Sequence, residues 1–341
     1  MLKFEKIDME AIIRMRPYLA AQPYRTCDYT PAGIFMWRSF FNTKYALQNQ
    51  FLFLQSQLYG QAHCYAFPVG TGSVQDALSA LREYVRLKPE EDGTLRLCNV
   101  PEPAAAFLRE RYGSQMSCEM NYDRSDYVYL AEALGGMRGK KLHGPRNHMN
   151  SFQRTYPDHH YEAITADNLQ AVIRFWNLHF IDQTDGPDFI PRAPAEAAAD
   201  DAMGCGTYNS NGIGPDAGEQ NHRKAWLDRM AAEEKLRISE ILPLFEQLGL
   251  TGGALYVGKE IVAFAFGELM GDTLYVHVEK ALTQYQGAYQ MIASRFPGSL
   301  AGQAVYVNRE EDEGDEGLRQ SKLSYRPHEM LYKYFVTIRD F

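Results

Sequence analysis

The residues best equipped for chemistry lie near the C-terminus. Tyr275-Val276-His277-Val278-Glu279 alternates polar and apolar side chains. A strand of that period carries Tyr275, His277 and Glu279 on one face and the two valines on the other. A tight turn at Gly271-Asp272 brings Glu268, on the preceding strand, to the same face near Tyr275. A carboxylate there could take the proton of an attacking amine or hydroxyl. Glu279 is the first choice as base, with a neutral His277 orienting it and Glu268 and Glu310 as further candidates. The plainer alternative is the wet side of an antiparallel sheet.

The segment Asn308-Arg309-Glu310-Glu311-Asp312-Glu313-Gly314-Asp315-Glu316 follows the next strand. Arg309 carries the planar fork that holds carboxylate or phosphate. Glu310 could position an amino group, and Asn308 and Tyr275 join Arg309 as candidate substrate contacts. The remaining acids suit the N-terminus of the following helix through its dipole. Their spacing is not that of a calcium loop. In that helix Arg319 and Lys322 lie three apart on one face. Arg319 reads as solvated, and Lys322 and the following Tyr325 as substrate contacts.

From Ala133 to Pro157 the chain carries Arg138, Lys140, Lys141, Arg146 and Arg154 without an acid. It is either a solvated linker helix or a cradle in which Lys140, Lys141 and Arg146 hold a polyanion: tRNA phosphate, a lipid head group or coenzyme A. His143 and His148 are not at helical metal spacing. Cys27, Cys64, Cys98, Cys118 and Cys205 are scattered, with no CxxC pair. Neither a metal site nor a disulfide framework is expected, and free thiols suit a reducing compartment.

The elements that position these residues read as α/β in two parts. In the first, strands are predicted at Lys3–Ile7, Tyr45–Gln48, Phe51–Gln57, Ala62–Phe67, Leu95–Asn99 and Tyr127–Leu130. Helices fall at Met9–Tyr18, Val74–Arg86 and Ala104–Arg111, and Pro68–Gly72 is a loop. In the second, strands are predicted at Tyr161–Ile164, Gly252–Val257, Ile261–Leu269, Leu274–Glu279, Ala304–Asn308 and Met330–Ile338. Helices fall at Asp167–Phe180, Arg223–Leu248, before Phe296 and at Gly317–Leu323, and Gly258-Lys259 is a hairpin turn. Residues 1–131, a basic linker 132–157 and 158–341, with a flexible Gly/Pro/Asp-rich insertion at about 182–221, make up the chain.

A length of 341 residues suits two domains, and 45% hydrophobic with 23% charged residues is a globular composition. A net charge of −8 argues against nonspecific coating of nucleic acid. Phe51–Leu54 and Ile261–Phe266 are far shorter than the ~20 residues of a membrane-spanning helix. Acids stand where a secretion signal has its apolar core, so a cytoplasmic protein is expected, at most peripheral to a membrane.

The strand–strand–strand–loop–helix–strand–helix–strand order resembles the GNAT acyltransferases. In that family a Q/R-x-x-G-x-G/A loop holds a pyrophosphate at a helix N-terminus. The resemblance implies cofactor contacts at Gln284, Gly287 and Ala288, with Tyr289 departing from the pattern. SDYVYL, GKKLHGPRNHMNSFQRTYP, FAFGE, VHVEKA, QGAYQMI, VNREED and GLRQSKLSYRP further resemble the phosphatidylglycerol lysyltransferase C-terminal domain family, which includes stand-alone bacterial proteins. This resemblance covers about residues 122–341 and, more faintly, the first half. It implies two GNAT-like domains in tandem, each a mainly antiparallel sheet flanked by helices, related to the aminoacyl-tRNA-dependent transferases that build peptidoglycan bridges. The family's named enzyme moves lysine from a tRNA ester to a lipid. Its membrane-spanning part is expected to be absent, so the lipid is not carried over.

The expected function is transfer of an acyl or aminoacyl group to an amine or hydroxyl. The donor is aminoacyl-tRNA or acyl-CoA, the acceptor a small molecule, lipid or peptide, and no cofactor is required. A coenzyme A-dependent N-acetyltransferase and a non-catalytic binding or regulatory protein stand as alternatives.

Overall fold

The computed structural model describes residues 1–57, 62–88, 93–137, 142–181, 217–339 and 341. Lys140, Lys141, Arg138, Cys205 and the expected insertion as far as residue 216 lie outside them; from Ala217 onward the chain is already helix.

The first half contains β1 (Glu5–Lys6), α1 (Met9–Ala21), α2 (Pro31–Trp37), β2 (Lys44–Gln48), β3 (Phe51–Ser56), β4 (Cys64–Tyr65), β5 (Val69–Gly70), α3 (Val74–Arg86), β6 (Leu95–Pro101), α4 (Glu102–Tyr112) and β7 (Met116–Leu130). Helices α5 (Ala131–Gly136) and α6 (His143–Thr155) follow. The second half has β8 (His159–Ala163), α7 (Ala166–His179), α8 (Ala217–Ile241), β9 (Thr251–Val257), β10 (Glu260–Met270), β11 (Thr273–Ala281), α9 (Ala288–Ser299), β12 (Tyr306–Asn308), α10 (Glu316–Ser324) and β13 (Glu329–Ile338).

The strands form one path, β1-β2-β3-β4-β6-β13-β7-β12-β11-β10-β9-β8, with β5 beside β3. Among the described residues β4 with β6 and β11 with β12 pair in parallel, and the other strand pairs are antiparallel. Each half thus owns one parallel pair whose strands are separated in sequence by a helix, α3 or α9, since parallel neighbours need a crossover. This is the tandem GNAT-like, mixed but mainly antiparallel plan that the element order implied. The Gly258-Lys259 and Gly271-Asp272 turns are two-residue hairpins, with Val257 opposite Glu260 and Met270 opposite Thr273. Gly258 and Gly271 both sit at φ +57°, the conformation such turns ask of glycine.

Three features were not legible beforehand. Strand β7 starts at Met116 rather than Tyr127, because residues 116–121 find their partner only in β13, from the other end of the chain. The last strand, β13, lies between β6 and β7, so the C-terminal segment completes the N-terminal sheet. Helix α2 is a seven-residue piece with Pro31 in its first turn, where a missing N–H costs nothing.

Helices α1 and α2 pack their buried Ile12, Met15 and Phe35 into the same core as Phe264, Phe266 and Val278 of the distant sheet. On the opposite face α5, α6 and α9 bury Leu134, Phe152 and Ile292 against Ala263, Ala265 and Val276. A third core joins α3 and α4 to Phe53, Leu97 and Val336.

Between these cores sits a buried ammonium. Lys333 Nζ lies 2.6 Å from Asp126 Oδ1, 2.7 Å from Asp28 Oδ2, 3.7 Å from Glu311 Oε2 and 3.4 Å from Cys27 Sγ. Its side chain is wholly buried, so its charge survives only because carboxylates from three separate parts of the chain surround it. Cys27, Asp126 and Glu311 present ligand atoms within 4.8 Å of one another, but Lys333 already supplies the cation. Replacing Lys333 by Met should destabilise the fold by about 3–5 kcal/mol, because the carboxylates lose their partner. Urea unfolding of the two proteins measures it.

Candidate active site

Strands β11 and β12 pair only at Thr273–Tyr306, Leu274–Val307 and Tyr275–Asn308. Beyond that point β11 stays with β10 as far as Ala281. The chain after Asn308 stays with β7 instead: the Arg309 amide donates to the Tyr127 carbonyl at 3.0 Å, and the Tyr127 amide donates to the Glu310 carbonyl at 3.2 Å. A wedge therefore opens between residues 276–281 and 309–311.

The register slips at the wedge. Phe266 faces Val278 and Gly267 faces Val276, which leaves His277 as one extra residue on β11, a β-bulge. A Cβ on Gly267 would lie 1.8 Å from the Tyr275 carbonyl oxygen, so only glycine passes there. The bulge breaks the alternation that placed Tyr275, His277 and Glu279 on one face. Val278 packs in the core with α2, Val276 in the core with α9. Glu268 does face Tyr275 as expected, but Glu279 faces Ala265 on the opposite side of the sheet.

His277 lies between two carboxylates, with Nε2 3.0 Å from Glu268 Oε1 and Nδ1 2.6 Å from Glu310 Oε1. With an acceptor at each ring nitrogen, both must carry protons. Burial pulls the imidazole pKa down, but Glu310 and Glu268 outweigh it and push it up to about 10. The ring is an imidazolium, not the neutral group expected. Glu268 Oε1 also accepts from the Ala32 amide of α2 at 2.8 Å, so a helix of the first half fixes the carboxylate.

On the α9 side Glu279 pairs with Arg309 Nη2. The guanidinium lies 4.7 Å from the ring centre of Tyr325 and 5.8 Å from that of Tyr129. Burial pushes the Tyr325 phenol up to about 12, despite the neighbouring guanidinium. The other terminal nitrogen, Arg309 Nη1, is buried with no hydrogen-bond partner among the described residues.

The loop carrying Arg309 and Glu310 is shaped by Lys322 and Asn308, both expected as substrate contacts. Lys322 Nζ donates to the carbonyls of Arg309, Glu310 and Glu311 at 2.6, 3.2 and 2.5 Å. Asn308 Oδ1 accepts from the Glu310 amide at 2.7 Å, and Asn308 Nδ2 donates to Asp126 Oδ2 at 2.7 Å. Between them they hold Glu310 at φ +59°, a conformation costly for any residue but glycine. Both side chains are spent on the loop and are not free for substrate. Tyr275 is buried. Arg319 is not solvated either: it pairs with Asp312 at 2.7 Å and Asp123 at 2.6 Å.

The loop expected to hold a pyrophosphate is shaped differently. Gly287 caps α9 at φ +92°, Gln284 is exposed and Ala288 is buried. The backbone of α6 lies over Gly287: a Cβ there would meet the His148 carbonyl oxygen at 2.5 Å and Phe152 Cβ at 2.9 Å. Helix α6 itself buries Pro145, Met149 and Phe152, so the described part of the basic segment packs on the sheet rather than forming a solvated linker. Arg146 donates to the Met137 carbonyl at 3.2 Å.

Sequence reasoning missed Asp28, Asp126, Arg124 and Lys333. Arg124 reaches Glu313 at 2.7 Å and Glu311 at 3.7 Å from an irregular stretch of β7, where the register against β13 jumps between Asp126 and Asn121. The available signal was Lys333 itself, a lone charge within Met330–Ile338.

The family profile of the phosphatidylglycerol lysyltransferase C-terminal region matches residues 20–178 and 220–337. The chain belongs to this family. A conserved protein of unknown function from Bacteroides thetaiotaomicron is similar over 99% of this chain and 100% of its own, with 29% identity and a TM-score of 0.79. The L-PGS of Bacillus licheniformis shares the fold over 98% of this chain and 93% of its own, at 14% identity and a TM-score of 0.55. An uncharacterized protein of Mycoplasmoides gallisepticum is 26% identical over 233 residues, which span 68% of this chain and 61% of the relative. Among the described residues no helix is long and apolar enough to cross a membrane.

Two measurements probe this geometry. Because the His277 pKa is raised on folding, its stabilising effect is complete below about pH 6.5 and is lost as pH rises toward about 10. Wild-type stability should thus fall more steeply across that window than that of His277→Gln, as read by urea unfolding at stepped pH. Gly287→Ala should cost about 1–3 kcal/mol, since it combines a positive φ with a clash against α6. Thermal unfolding checks it.

Proposed function

We propose that this chain transfers an aminoacyl group from a tRNA ester to an amine or hydroxyl, with the chemistry in the wedge between β11 and β12. The observation that carries this reading is Arg309 Nη1, a buried cationic N–H with no hydrogen-bond partner among the described residues, beside the wedge carboxylate Glu279. An ester carbonyl oxygen gains negative charge as a nucleophile attacks, and a fixed cationic donor already stripped of water suits that oxygen. Glu279 orients the guanidinium. Glu310, with 22% of its side chain exposed against 4% for Glu268, is the carboxylate we assign to take the nucleophile's proton. Protonated His277, anchored by Glu268, fixes its position.

The tRNA ester is favoured over acyl-CoA by α6, whose backbone fills the space over Gly287 where a GNAT enzyme seats the pyrophosphate. The lysyltransferase family supports the same donor class. The acceptor class in this reading runs from small amines to a lipid hydroxyl, as in the family's named activity.

The test is transfer of labelled amino acid from charged tRNA to a panel of amines and to phosphatidylglycerol vesicles. Arg309→Lys and Glu310→Gln should each lower transfer by about 10²-fold or more, the usual size of a lost oxyanion donor or general base. Glu279→Gln should cost less, because Arg309 remains, and donor binding should hardly change. Turnover of acetyl-CoA without tRNA, or full transfer by Arg309→Lys, would overturn the assignment.

A further inference from the structure

In the N-terminal sheet β4 and β6 run parallel but pair at one described position, Tyr65 opposite Leu97. Beyond it the strands part, as β11 and β12 do. The Ala66 amide donates to the Leu54 carbonyl of β3 at 3.1 Å, whereas Val100 and Pro101 pair with β13. Cys64 precedes Tyr65 and Cys98 follows Leu97, so alternation puts both side chains on one face, diagonally across that single contact. Cys98 Sγ leans back toward β4, 3.8 Å from the Tyr65 carbonyl oxygen, and its thiol shares a hydrogen bond with that of Cys64. Both side chains are half-buried, and neither is bonded to another cysteine. Two cysteines far apart in sequence thus stand thiol to thiol.

We propose that Cys64 and Cys98 form a dithiol–disulfide pair, a covalent modification site that small disulfides oxidise and small dithiols reduce. The disulfide staples β4 to β6 across their one point of pairing. A sulfur–sulfur bond of about 2.05 Å is shorter than any thiol hydrogen bond, so the strands must close slightly. Strand β4 has two residues, paired twice to β3 and once to β6, so few ladder bonds resist that movement.

The Cys98 thiol is pushed well above its usual pKa by the hydrogen bond with Cys64 and by burial. It is therefore the resolving sulfur, and Cys64 attacks first. The Cys64 thiolate displaces one thiolate from the small disulfide and leaves a mixed disulfide. Cys98 then loses its proton and attacks Cys64 Sγ, expelling the second small thiolate. Two protein thiols are oxidised, one small disulfide is reduced, and the protons lost by the cysteines end on the two thiols released.

The pair sits beside the tie between the halves. Next to Cys98, Asn99 Nδ2 donates to Asp28 Oδ1 at 2.6 Å, and Asp28 Oδ2 lies 2.7 Å from Lys333 Nζ. On the β4 side the Tyr29 hydroxyl donates to the Phe67 carbonyl at 3.1 Å. Residues 28 and 29 therefore bear on both stretches of chain that the disulfide draws together.

The test is exposure of the full chain to graded ratios of glutathione disulfide to glutathione, followed by peptide mapping without reduction. The wild type should lose about 2 Da and yield a peptide linked through Cys64 and Cys98, and dithiothreitol should reverse both. Oxidation should raise the urea midpoint of unfolding, because the bridge closes a loop in the unfolded chain. Cys98→Ser should stop at a glutathione adduct on Cys64, and Cys64→Ser should give no adduct on Cys98 under the same conditions. Neither variant should show the rise in midpoint. The wild-type mapping needs no variant, so a substitution that failed to fold would leave the test intact. No linked Cys64–Cys98 peptide at any ratio, a bridge from either cysteine to Cys118 or Cys205 instead, or a rise in midpoint that survives Cys98→Ser would each overturn the proposal.

Discussion

Beyond Tyr275 and Asn308 strands β11 and β12 part, and the polar contacts of the site follow from that gap. Two diverging strands leave backbone and side chains without neighbours on the inner side of each. Here the gap is bridged by charge: His277 to Glu310 on one face of the sheet, Glu279 to Arg309 on the other. The bulge at His277 makes this possible, because an extra residue lets consecutive polar side chains leave one strand in two directions. Lys322 then pins the opposite wall by gathering three successive carbonyls, which keeps Glu310 in a backbone conformation it would not hold alone.

The wedge depends in turn on the join between the halves. Asn308, which sets the Glu310 turn, is itself held by Asp126, and Asp126 is held by Lys333 on the strand that returns to the N-terminal sheet. Glu311 touches the same lysine and Arg124. Burial pushes the Asp126 carboxyl up against the pull of Lys333, whereas Lys333 and Arg124 hold Glu311 down despite burial. Acids from the wedge loop and cations from β7 and β13 form one continuous network, so the wedge loop and the closing strand cannot move independently. Glu268 adds a second tie through the Ala32 amide.

The donor proposed for this chain rests on the placement of one helix, α6. In a GNAT enzyme the loop after the fourth strand of the fold meets a pyrophosphate. Here α6 lies across Gly287, and the approach of the His148 carbonyl and Phe152 by itself requires glycine there. A glycine in a loop motif therefore has two physical explanations, and only its neighbours in space distinguish them.

Much of the molecule was legible from local rules. Period-two and helical patterns placed most elements, Gly258 and Gly271 announced their hairpins, and strand order led to the tandem fold. Glu268, His277, Glu279, Arg309 and Glu310 were singled out by type and spacing, and the structure brings all five to the wedge. Their roles were not legible, because alternation cannot foresee a bulge forced by Gly267 meeting the Tyr275 backbone. Nor could it foresee that Lys322 and Asn308 would be spent on their own loop. The length of β7, the seat of β13 and the burial of Lys333 escaped for one shared reason. Each is satisfied by partners far away in sequence, and local pattern carries no record of a contact that exists only once the chain has folded back on itself.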